Sequence, residues 1–160
     1  MRVEQLMSKT VHTCSTGDNL SRAAQLMWEH DCGCVPVVDT DQHVIGIITD
    51  RDVAMAAYLQ GRPLSESCVG DAMTREIHAC RPSDNITAAE EQMRMFQVRR
   101  LPVTEMTGRL VGLISLNDLA LEAANEHGLR RHEIPRDKIA DTLADISRHR
   151  AASLSPATPV

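Results

Sequence analysis

The hydrophobic positions of this chain form short apolar runs that follow amphipathic segments, and this arrangement occurs twice. Residues 35–38 and 44–48 are strand-sized apolar runs separated by a polar turn. Upstream of them, Leu20, Ala23 and Met27 recur at i, i+3 and i+7, which predicts one face of an α-helix. Because apolar runs of strand length alternate with helical segments, the pattern predicts a mixed α/β protein.

The same pattern returns later in the chain at a constant distance. Residues 7–56 align with residues 73–122 without a gap, at an offset of 66 positions, and the matched positions include Gly, Pro and Asp. Each copy predicts the order β-α-β-β-α, with the last helix starting after Thr49 in the first copy and after Ser115 in the second. One copy is too small to cover its own sheet, so we expect the two copies to pack face to face as a pseudo-twofold pair.

Local signals place the elements within each copy. Short strands are predicted around 11–14 and 77–80, and helices follow at about 19–29 and 85–96. The return strands are nearly continuous apolar runs, which predicts burial on both of their faces. The residues expected to cap the first helices are Asp18 or Asn19 and Asp84 or Asn85.

The duplication divides the chain into three regions. Residues 1–62 form the first repeat, 63–125 the linker and the second repeat, and 126–160 a C-terminal helix with a flexible tail. The apolar stripe of that helix is expected to pack on the body of the protein or against a second subunit. The stripe consists of Ile139, Leu143 and Ile146.

Composition narrows the classes of function. The formal net charge is −5 and aromatic residues make up 2% of the chain, which disfavours a basic nucleic-acid surface and an RNA-stacking platform. No apolar run is long enough to span a membrane, and five cysteines without a secretory signal favour a reducing cytoplasm. Catalytic signatures such as the Walker loop and Gly-x-Ser-x-Gly are missing, so the sequence predicts a protein that is not an enzyme.

The repeated signature resembles that of a known family. A Val-Pro-Val or Leu-Pro-Val strand, a polar turn, and then Gly-Ile-Ile-Thr-Asp-Arg-Asp or Gly-Leu-Ile-Ser-Leu-Asn-Asp is similar to the tandem CBS domain pair, or Bateman module. The stand-alone bacterial two-CBS proteins resemble the chain most. The resemblance implies an α/β (α+β) fold of two β-α-β-β-α repeats packed as a pseudo-twofold pair, with a C-terminal helix added.

The same resemblance implies a function. It implies a regulatory module without an obligatory cofactor that binds an adenosine-containing small molecule in the cleft between the repeats. AMP, ADP, ATP, an NAD-type dinucleotide and S-adenosylmethionine are the expected ligands. It further implies a homodimer and an unidentified protein partner, with no duplex nucleic acid and no membrane involved.

Carried over by position, the resemblance implies two related ligand sites. The first would be formed by Thr10, Val11, Cys34, Val35, Pro36, Thr49, Arg51 and Asp52. The second would be formed by Glu76, Ile77, Arg99, Arg100, Leu101, Pro102, Ser115, Asn117 and Asp118.

The two aspartates also fit this chemistry without the family. One carboxylate can accept both hydroxyls of a ribose diol, and hydrogen bonds to charged groups contribute about 1.5–3 kcal/mol each. Asp52 and Asp118 are placed where a strand becomes a helix, and the N–H groups of that helix offer a place for phosphate. The alternative role of each aspartate is a helix N-cap without a ligand.

Histidine and cysteine pairs form a second candidate group. His12-Thr13-Cys14 and His78-Ala79-Cys80 would each direct a histidine and a cysteine to one face of a strand, and Cys32-Gly33-Cys34 adds two thiols. Zn²⁺ accepts such ligands, but CxxC spacing is missing and nothing in the sequence brings the pairs together, so no metal site is assigned. The pairs leave open an alternative function, a stress-response or structural interaction protein with vestigial clefts that responds to metal or thiol redox state.

Overall fold

Residues 1–125 and 135–148 are described by the computed structural model, and they form a mixed α/β fold that confirms the predicted class. The first repeat contains α1 (Leu20–Glu29), β1 (Cys34–Val38), β2 (Val44–Thr49) and α2 (Asp50–Gln60), and the short helix α3 (Val69–Ala72) follows. The second repeat contains α4 (Ile86–Phe96), β3 (Arg100–Thr104), β4 (Leu110–Ser115) and α5 (Leu116–Asn125), and α6 (Arg136–Ser147) follows. Single turns of 3-10 helix lie at Val3–Gln5 and Leu64–Glu66. The predicted tail at 151–160 lies outside the described residues.

Asparagine caps the first helix of each repeat. The side-chain oxygens of Asn19 and Asn85 each accept a hydrogen bond of 2.9 Å from an N–H group in the first turn of the helix. Asp18 and Asp84 instead accept a hydrogen bond from the N–H three residues earlier, at 2.7 and 2.8 Å. Of the two candidates in each repeat, the second is therefore the cap, because the first closes the preceding turn.

The strands of each repeat form an antiparallel hairpin with the same irregularity. Cys34 pairs with Thr49 in the first repeat and Arg100 pairs with Ser115 in the second, and both registers shift before the last pair. The last residue of the return strand, at the junction with the last helix of the repeat, is therefore held by the hairpin pairing. The two hairpins are related by the sequence offset and are built alike.

The leading and return strands depart from the prediction. The leading strand is reduced to one isolated parallel bridge per repeat, at Cys14 in the first and Cys80 in the second. Burial alternates along the second half of β2 and β4, so the expected burial on both faces is wrong. In each repeat, the buried side chains of the sheet pack with those of the helices and form one core. The other face of the two-stranded sheet is only partly covered.

The segment that leads into each repeat packs on the other repeat. Val3 is fully buried in the core of the second repeat, together with Ile86 and Met93. Its counterpart Val69 is fully buried in the core of the first repeat, together with Leu20. The two repeats are therefore interlocked through exchanged segments as well as packed side by side.

A glycine in each return strand makes room for the exchanged segment. A Cβ on Gly46 would lie 2.6 Å from Met73 Sδ, and a Cβ on Gly112 would lie 2.5 Å from Met7 Sδ. A backbone oxygen of the same segment would lie 3.0 Å away in the first case and 3.1 Å away in the second. The glycine of the repeated signature is therefore required by the close approach of another chain segment.

The two hairpin turns meet between the repeats. Val44 N donates a hydrogen bond to Gly108 O at 3.2 Å, and Leu110 N donates one to Gln42 O at 3.0 Å. These are corresponding contacts, one from each repeat to the other. They join the hairpins through the main chain, so the relative position of the two sheets does not depend on side chains alone.

Helix α6 packs against α4 and α5 of the second repeat. Ile139 and Ile146 contact the second core, whereas Leu143 is 47% exposed, so two of the three residues of the predicted stripe pack on the body. Thr142 is fully buried, and its hydroxyl donates a hydrogen bond to the buried Glu90 carboxylate of α4. In the part of the chain described, no helix combines the length and the apolar character needed to cross a membrane.

Candidate functional site

Each repeat has a strand-to-helix junction at which a hydroxyl and a carboxylate stand three residues apart. Thr49 ends β2 and caps α2, and its Oγ1 accepts a hydrogen bond of 3.2 Å from Asp52 N. The Asp52 Oδ2 accepts hydrogen bonds from Thr49 N at 2.9 Å and from Thr49 Oγ1 at 2.7 Å. This reciprocal arrangement is a capping box, and it fixes the position of the carboxylate.

The second repeat reproduces the junction. Ser115 Oγ accepts a hydrogen bond of 3.2 Å from Asp118 N, and Asp118 Oδ2 accepts bonds of 2.8 and 2.7 Å from Ser115 N and Oγ. Asp52 and Asp118 are both half-buried, and within the described residues neither Oδ1 takes part in a hydrogen bond. Thr49 and Ser115 therefore occupy the position before each helix, and the aspartates stand at the third helical position, where they complete the capping box. The alternative role of helix N-cap is wrong for both aspartates, and one carboxylate oxygen of each is available to a ligand.

The first N–H groups of the following helix are less available to an anion than the sequence predicts. Asp50 N donates to Gly33 O at 3.3 Å, and Arg51 N donates to Asp50 Oδ1 at 2.7 Å. The third N–H of α2 belongs to the capping box. In α5, Leu116 N donates to Arg99 O at 2.9 Å. A phosphate at the first junction therefore needs a donor other than the N-terminus of α2.

The segments predicted to line the base pockets run from one repeat to the other. Thr10, which is exposed, and Val11, which is half-buried, lie between a backbone bridge to the second repeat at Ser8 and one to the first repeat at Cys14. They therefore cross the boundary between the repeats. The related crossing contains Glu76, exposed, and Ile77, half-buried, between bridges at Thr74 and Cys80.

Apart from Arg100, which is half-buried, the remaining predicted site residues are buried strand positions or exposed positions. The buried ones offer mainly their backbone to a ligand, and they are Cys34, Val35, Pro36, Leu101 and Pro102. The exposed ones are Arg51, Arg99 and Asn117. Strand pairing brings Cys34 next to Thr49, and Arg100 next to Ser115.

Arg100 belongs to one repeat and reaches the other. Its backbone pairs with Ser115 in the second repeat, whereas its terminal guanidinium nitrogens lie 3.4 and 3.7 Å from the position that a Cβ on Gly33 would occupy in the first. Asp50 Oδ2 lies 3.3 Å from the same position. Comparison of the two repeats does not identify Gly33 or Asp50 as site residues, because the corresponding residues of the second repeat are of a different type. The one available signal is the replacement of Gly33 by Arg99 at the corresponding position of the second repeat.

Burial keeps three of the cysteines in their thiol form. It raises the pKa of Cys14 and of Cys34 to about 11, and the pKa of Cys80 to about 12. Cys32 is half-buried and Cys68 is exposed, and all five thiols are unpaired. Because thiolates are the reactive and metal-binding form, the three buried thiols are poorly suited to bind a metal or to react in this conformation.

Three histidines of the described residues stack on other rings, namely His12, His30 and His78. The rings of His12 and His30 are 3.4 Å apart and nearly parallel, and those of His78 and Phe96 are 3.7 Å apart. The two stacks occupy corresponding positions of the repeats. Among the described residues, one group of three potential metal ligands has all its ligand atoms within 4.8 Å of one another, and it consists of Asp39, Asp41 and His43.

Comparison with known proteins places the repeats in a family. A family model described as the CBS domain matches residues 3–58 and 69–125. The CBS domain-containing protein YhcV of Bacillus subtilis (strain 168) is 36% identical over 126 residues, which are 78% of this chain and 87% of YhcV.

Solved structures agree with this assignment. Hypoxic Response Protein I, described with two coordinated zinc ions, is 29% identical with a TM-score of 0.69, and the match covers 76% of this chain and 98% of that one. The CBS domain pair of protein MJ0100, in complex with 5′-methylthioadenosine and S-adenosyl-L-methionine, is 22% identical with a TM-score of 0.69, over 76% of this chain and 94% of that one. At this lower identity the likeness shows the fold alone.

Proposed function

The chain belongs to the CBS domain family, and we propose that its two repeats form a regulatory module that binds an adenosine-containing nucleotide in the clefts between them. Binding shifts the relative arrangement of the repeats, and a protein partner reads that shift. Such a mechanism requires that the ligand binds one arrangement more tightly than the other. The module acts as a sensor in the cytoplasm and not as an enzyme.

The duplicated junction is the observation that carries this proposal. In each repeat the capping box holds an aspartate by one carboxylate oxygen and leaves the other without a partner among the described residues. A ribose diol would therefore meet an acceptor that is already fixed, so little side-chain entropy is lost on binding. Segments that cross between the repeats, at residues 9–13 and 75–79, start and end at bridges to different repeats and provide walls for the base.

We assign the predicted residues to two clefts on this basis. In the first, Asp52 binds the ribose, Thr49 accepts a hydrogen bond from a sugar hydroxyl because its own proton is donated to Asp52, and Thr10 and Val11 bind the base. The second cleft uses Asp118, Ser115, Glu76 and Ile77 in the same roles. The MJ0100 pair shows that this fold can hold S-adenosylmethionine and methylthioadenosine, which makes an adenosine ligand compatible with the fold.

A thermal-shift panel tests the proposal. The panel contains AMP, ADP, ATP, NAD, NADH and S-adenosylmethionine, with GMP as the control that keeps the ribose and phosphate and changes the base. A ligand at one hundred times its dissociation constant stabilises the fold by about 2.7 kcal/mol, which raises the melting temperature by roughly 5–11 °C for a domain of this size. No shift with any adenosine compound would contradict the proposal.

We also propose that the chain forms a homodimer. Trp28 on α1 is 88% exposed and Tyr58 on α2 is 79% exposed, and large aromatic side chains are enriched in protein interfaces. Sedimentation equilibrium at micromolar concentration should give twice the mass of 17.7 kDa. A single species of monomer mass at all concentrations would contradict the dimer.

One observation favours the alternative, a stress-response or structural interaction protein that responds to metal or thiol state. Hypoxic Response Protein I, which shares 29% of its residues with this chain, is described with two zinc ions. Protein purified without a His tag should then contain zinc in a molar ratio near one or above. A ratio near zero, together with a shift in the nucleotide panel, would exclude the metal-dependent alternative.

A further inference from the structure

The helix pairs of the two repeats differ in what covers them. Helices α1 and α2 contact each other in the first repeat, and α4 and α5 form the corresponding pair in the second. Helix α6 packs across α4 and α5, whereas the first pair leaves four large apolar side chains exposed. These side chains form what we call the open face of the first repeat: Trp28, Met55, Tyr58 and Leu59, which are 88%, 44%, 79% and 72% exposed.

Helix α6 is held by polar side chains of α4 and of the residue that follows it. The Glu90 carboxylate accepts a hydrogen bond from Thr142, and Arg94 Nη1 lies 3.7 Å from Asp145 Oδ2. Gln97 Nε2 donates a hydrogen bond of 2.9 Å to Asp145 O. The face of the second repeat is therefore occupied by a segment of its own chain, through contacts that are specific to that segment.

The first repeat carries different residues at all of these positions. The counterparts of the three polar residues, at the offset of 66 positions, are Ala24, Trp28 and Asp31. Tyr58 stands in place of Ala124, whose small side chain lines the space between α5 and α6. Alanine and tryptophan cannot replace the hydrogen bond and the ion pair, and an ionised carboxylate cannot donate as the amide does. The open face is therefore not built for the α6 helix of a second copy, and it requires an apolar partner.

The open face is large enough to support an interface. Buried aromatic side chains cover about 150–250 Å² each, so Trp28 and Tyr58 would together bury about 300–400 Å² per copy. That is close to half of the roughly 800 Å² that each partner contributes to a standard interface. Met55 and Leu59 add to this area, and Trp and Tyr are residue types that often carry most of the binding energy.

The charges beside the open face make it complementary to itself. Arg22 and Glu29 are both exposed on α1, the first near its start and the second at its end. Seven residues of helix separate them by about 10 Å. A twofold axis that crosses α1 between them would bring Arg22 of each copy to Glu29 of the other. This arrangement favours a second copy over an unrelated partner, which would have to supply both charges in the same order.

We propose that the open face binds the same face of a second copy, and that α6 excludes the second repeat from self-association. The dimer is then built from contacts between the two first repeats, and the second repeats lie away from its twofold axis. This inference deepens the homodimer proposed above, on which it rests, because it gives the dimer a surface and explains why only one of two related faces forms it. Each substitution on the open face acts twice in such an interface.

Two substitutions at corresponding positions test the proposal by sedimentation equilibrium of the full chain. Met55 and Leu121 occupy the same position of α2 and α5, and their side chains are 44% and 55% exposed. Met55→Glu should weaken the dimer at least about thirtyfold, equivalent to about 2 kcal/mol, because it places two carboxylates in an apolar interface. Leu121→Glu makes the matched change in the second repeat and should alter the dissociation constant by less than about twofold.

Trp28→Arg and Tyr58→Ala form a second, independent test of the open face. Each introduces the residue type found at the related position of the second repeat, where Arg94 and Ala124 stand. Each should weaken the dimer at least about tenfold. The control is Met106→Arg in the turn between β3 and β4, where the side chain is 92% exposed, and it should leave the dimer unchanged. Thermal melting of every variant checks that the fold is retained.

The outcomes separate this inference from the homodimer itself. Equal weakening by Met55→Glu and Leu121→Glu would show that both repeats contribute, and an unchanged dimer in every open-face variant would place the interface elsewhere. Either result overturns the inference and leaves the homodimer standing. A monomer at all concentrations would contradict the homodimer, and the inference would fail with it. If Met55→Glu does not fold, the comparison of Trp28→Arg with Met106→Arg tests the same surface.

Discussion

Replacing Asp52 separates its role as a helix cap from its role as a ligand acceptor. Asp52→Ala removes the hydrogen bonds of 2.9 and 2.7 Å that its Oδ2 accepts from Thr49. Loss of side-chain capping lowers the free energy of unfolding by about 0.5–2 kcal/mol. For a chain of 160 residues, this corresponds to a fall in melting temperature of roughly 1–8 °C.

The same substitution removes the free Oδ1 that we assign to the ribose diol. A hydrogen bond to a charged group contributes about 1.5–3 kcal/mol, so nucleotide affinity at the first cleft should fall at least about tenfold. Asp52→Asn divides the two effects. Its amide oxygen can still accept the bond from Thr49 N, so less stability is lost, whereas the charged acceptor is lost completely.

Urea denaturation measures the free energy of unfolding of each variant. Titration calorimetry with the ligand found in the nucleotide panel measures its binding affinity. The chain provides its own control in Asp118→Ala, which should lose similar stability but bind less ligand at the other cleft. Suppose that both alanine variants lose the expected stability and still bind two nucleotides with unchanged affinity. The carboxylates would then be helix caps only, and the reasoning from the free oxygen would be refuted.

Three further predictions concern packing and the thiols. Gly112→Ala should lower the free energy of unfolding by about 1–3 kcal/mol, because its Cβ would lie 2.5 Å from Met7 Sδ and 3.1 Å from Ser8 O. Adding Met7→Ala should recover part of the lost stability. A neutral effect of Gly112→Ala in urea denaturation would contradict the close approach. Iodoacetamide at pH 8 should modify the exposed Cys68 well before the buried cysteines, as read by peptide mass spectrometry, and fast labelling of all five would contradict their burial. Because the folded pKa values of the buried thiols are raised to about 11–12 from 9.0, their contribution to stability should be complete below pH 9 and decline as the pH rises towards 11.

Much of the local structure follows from short sequence signals. The caps at Asn19 and Asn85, and the helices that start after Thr49 and Ser115, were predictable because each depends on residues within one helical turn. The leading strand was predicted too long. A strand of this length needs a neighbour along its whole edge, and the neighbour pairs with it only at Cys14 and Cys80.

The candidate clefts were predictable in part for the same reason. The spacing of Thr49 and Asp52 places both at one junction, because a capping box is a contact between residues three positions apart. The spacing does not show that one carboxylate oxygen is used by the cap. It also cannot show that the N–H of Asp50 is already bound to Gly33 O.

The sequence by itself determined the duplication, the order of elements in each copy and the two junctions, since periodicity and capping are local properties of the chain. The tertiary structure alone decided that Val3 enters the second core and Val69 the first. The two valines stand in equivalent registers, so no pattern distinguishes packing within a repeat from exchange between repeats. The reach of Arg100 to Gly33 was decided in the same way, because it depends on how two rigid copies meet across their pseudo-twofold axis.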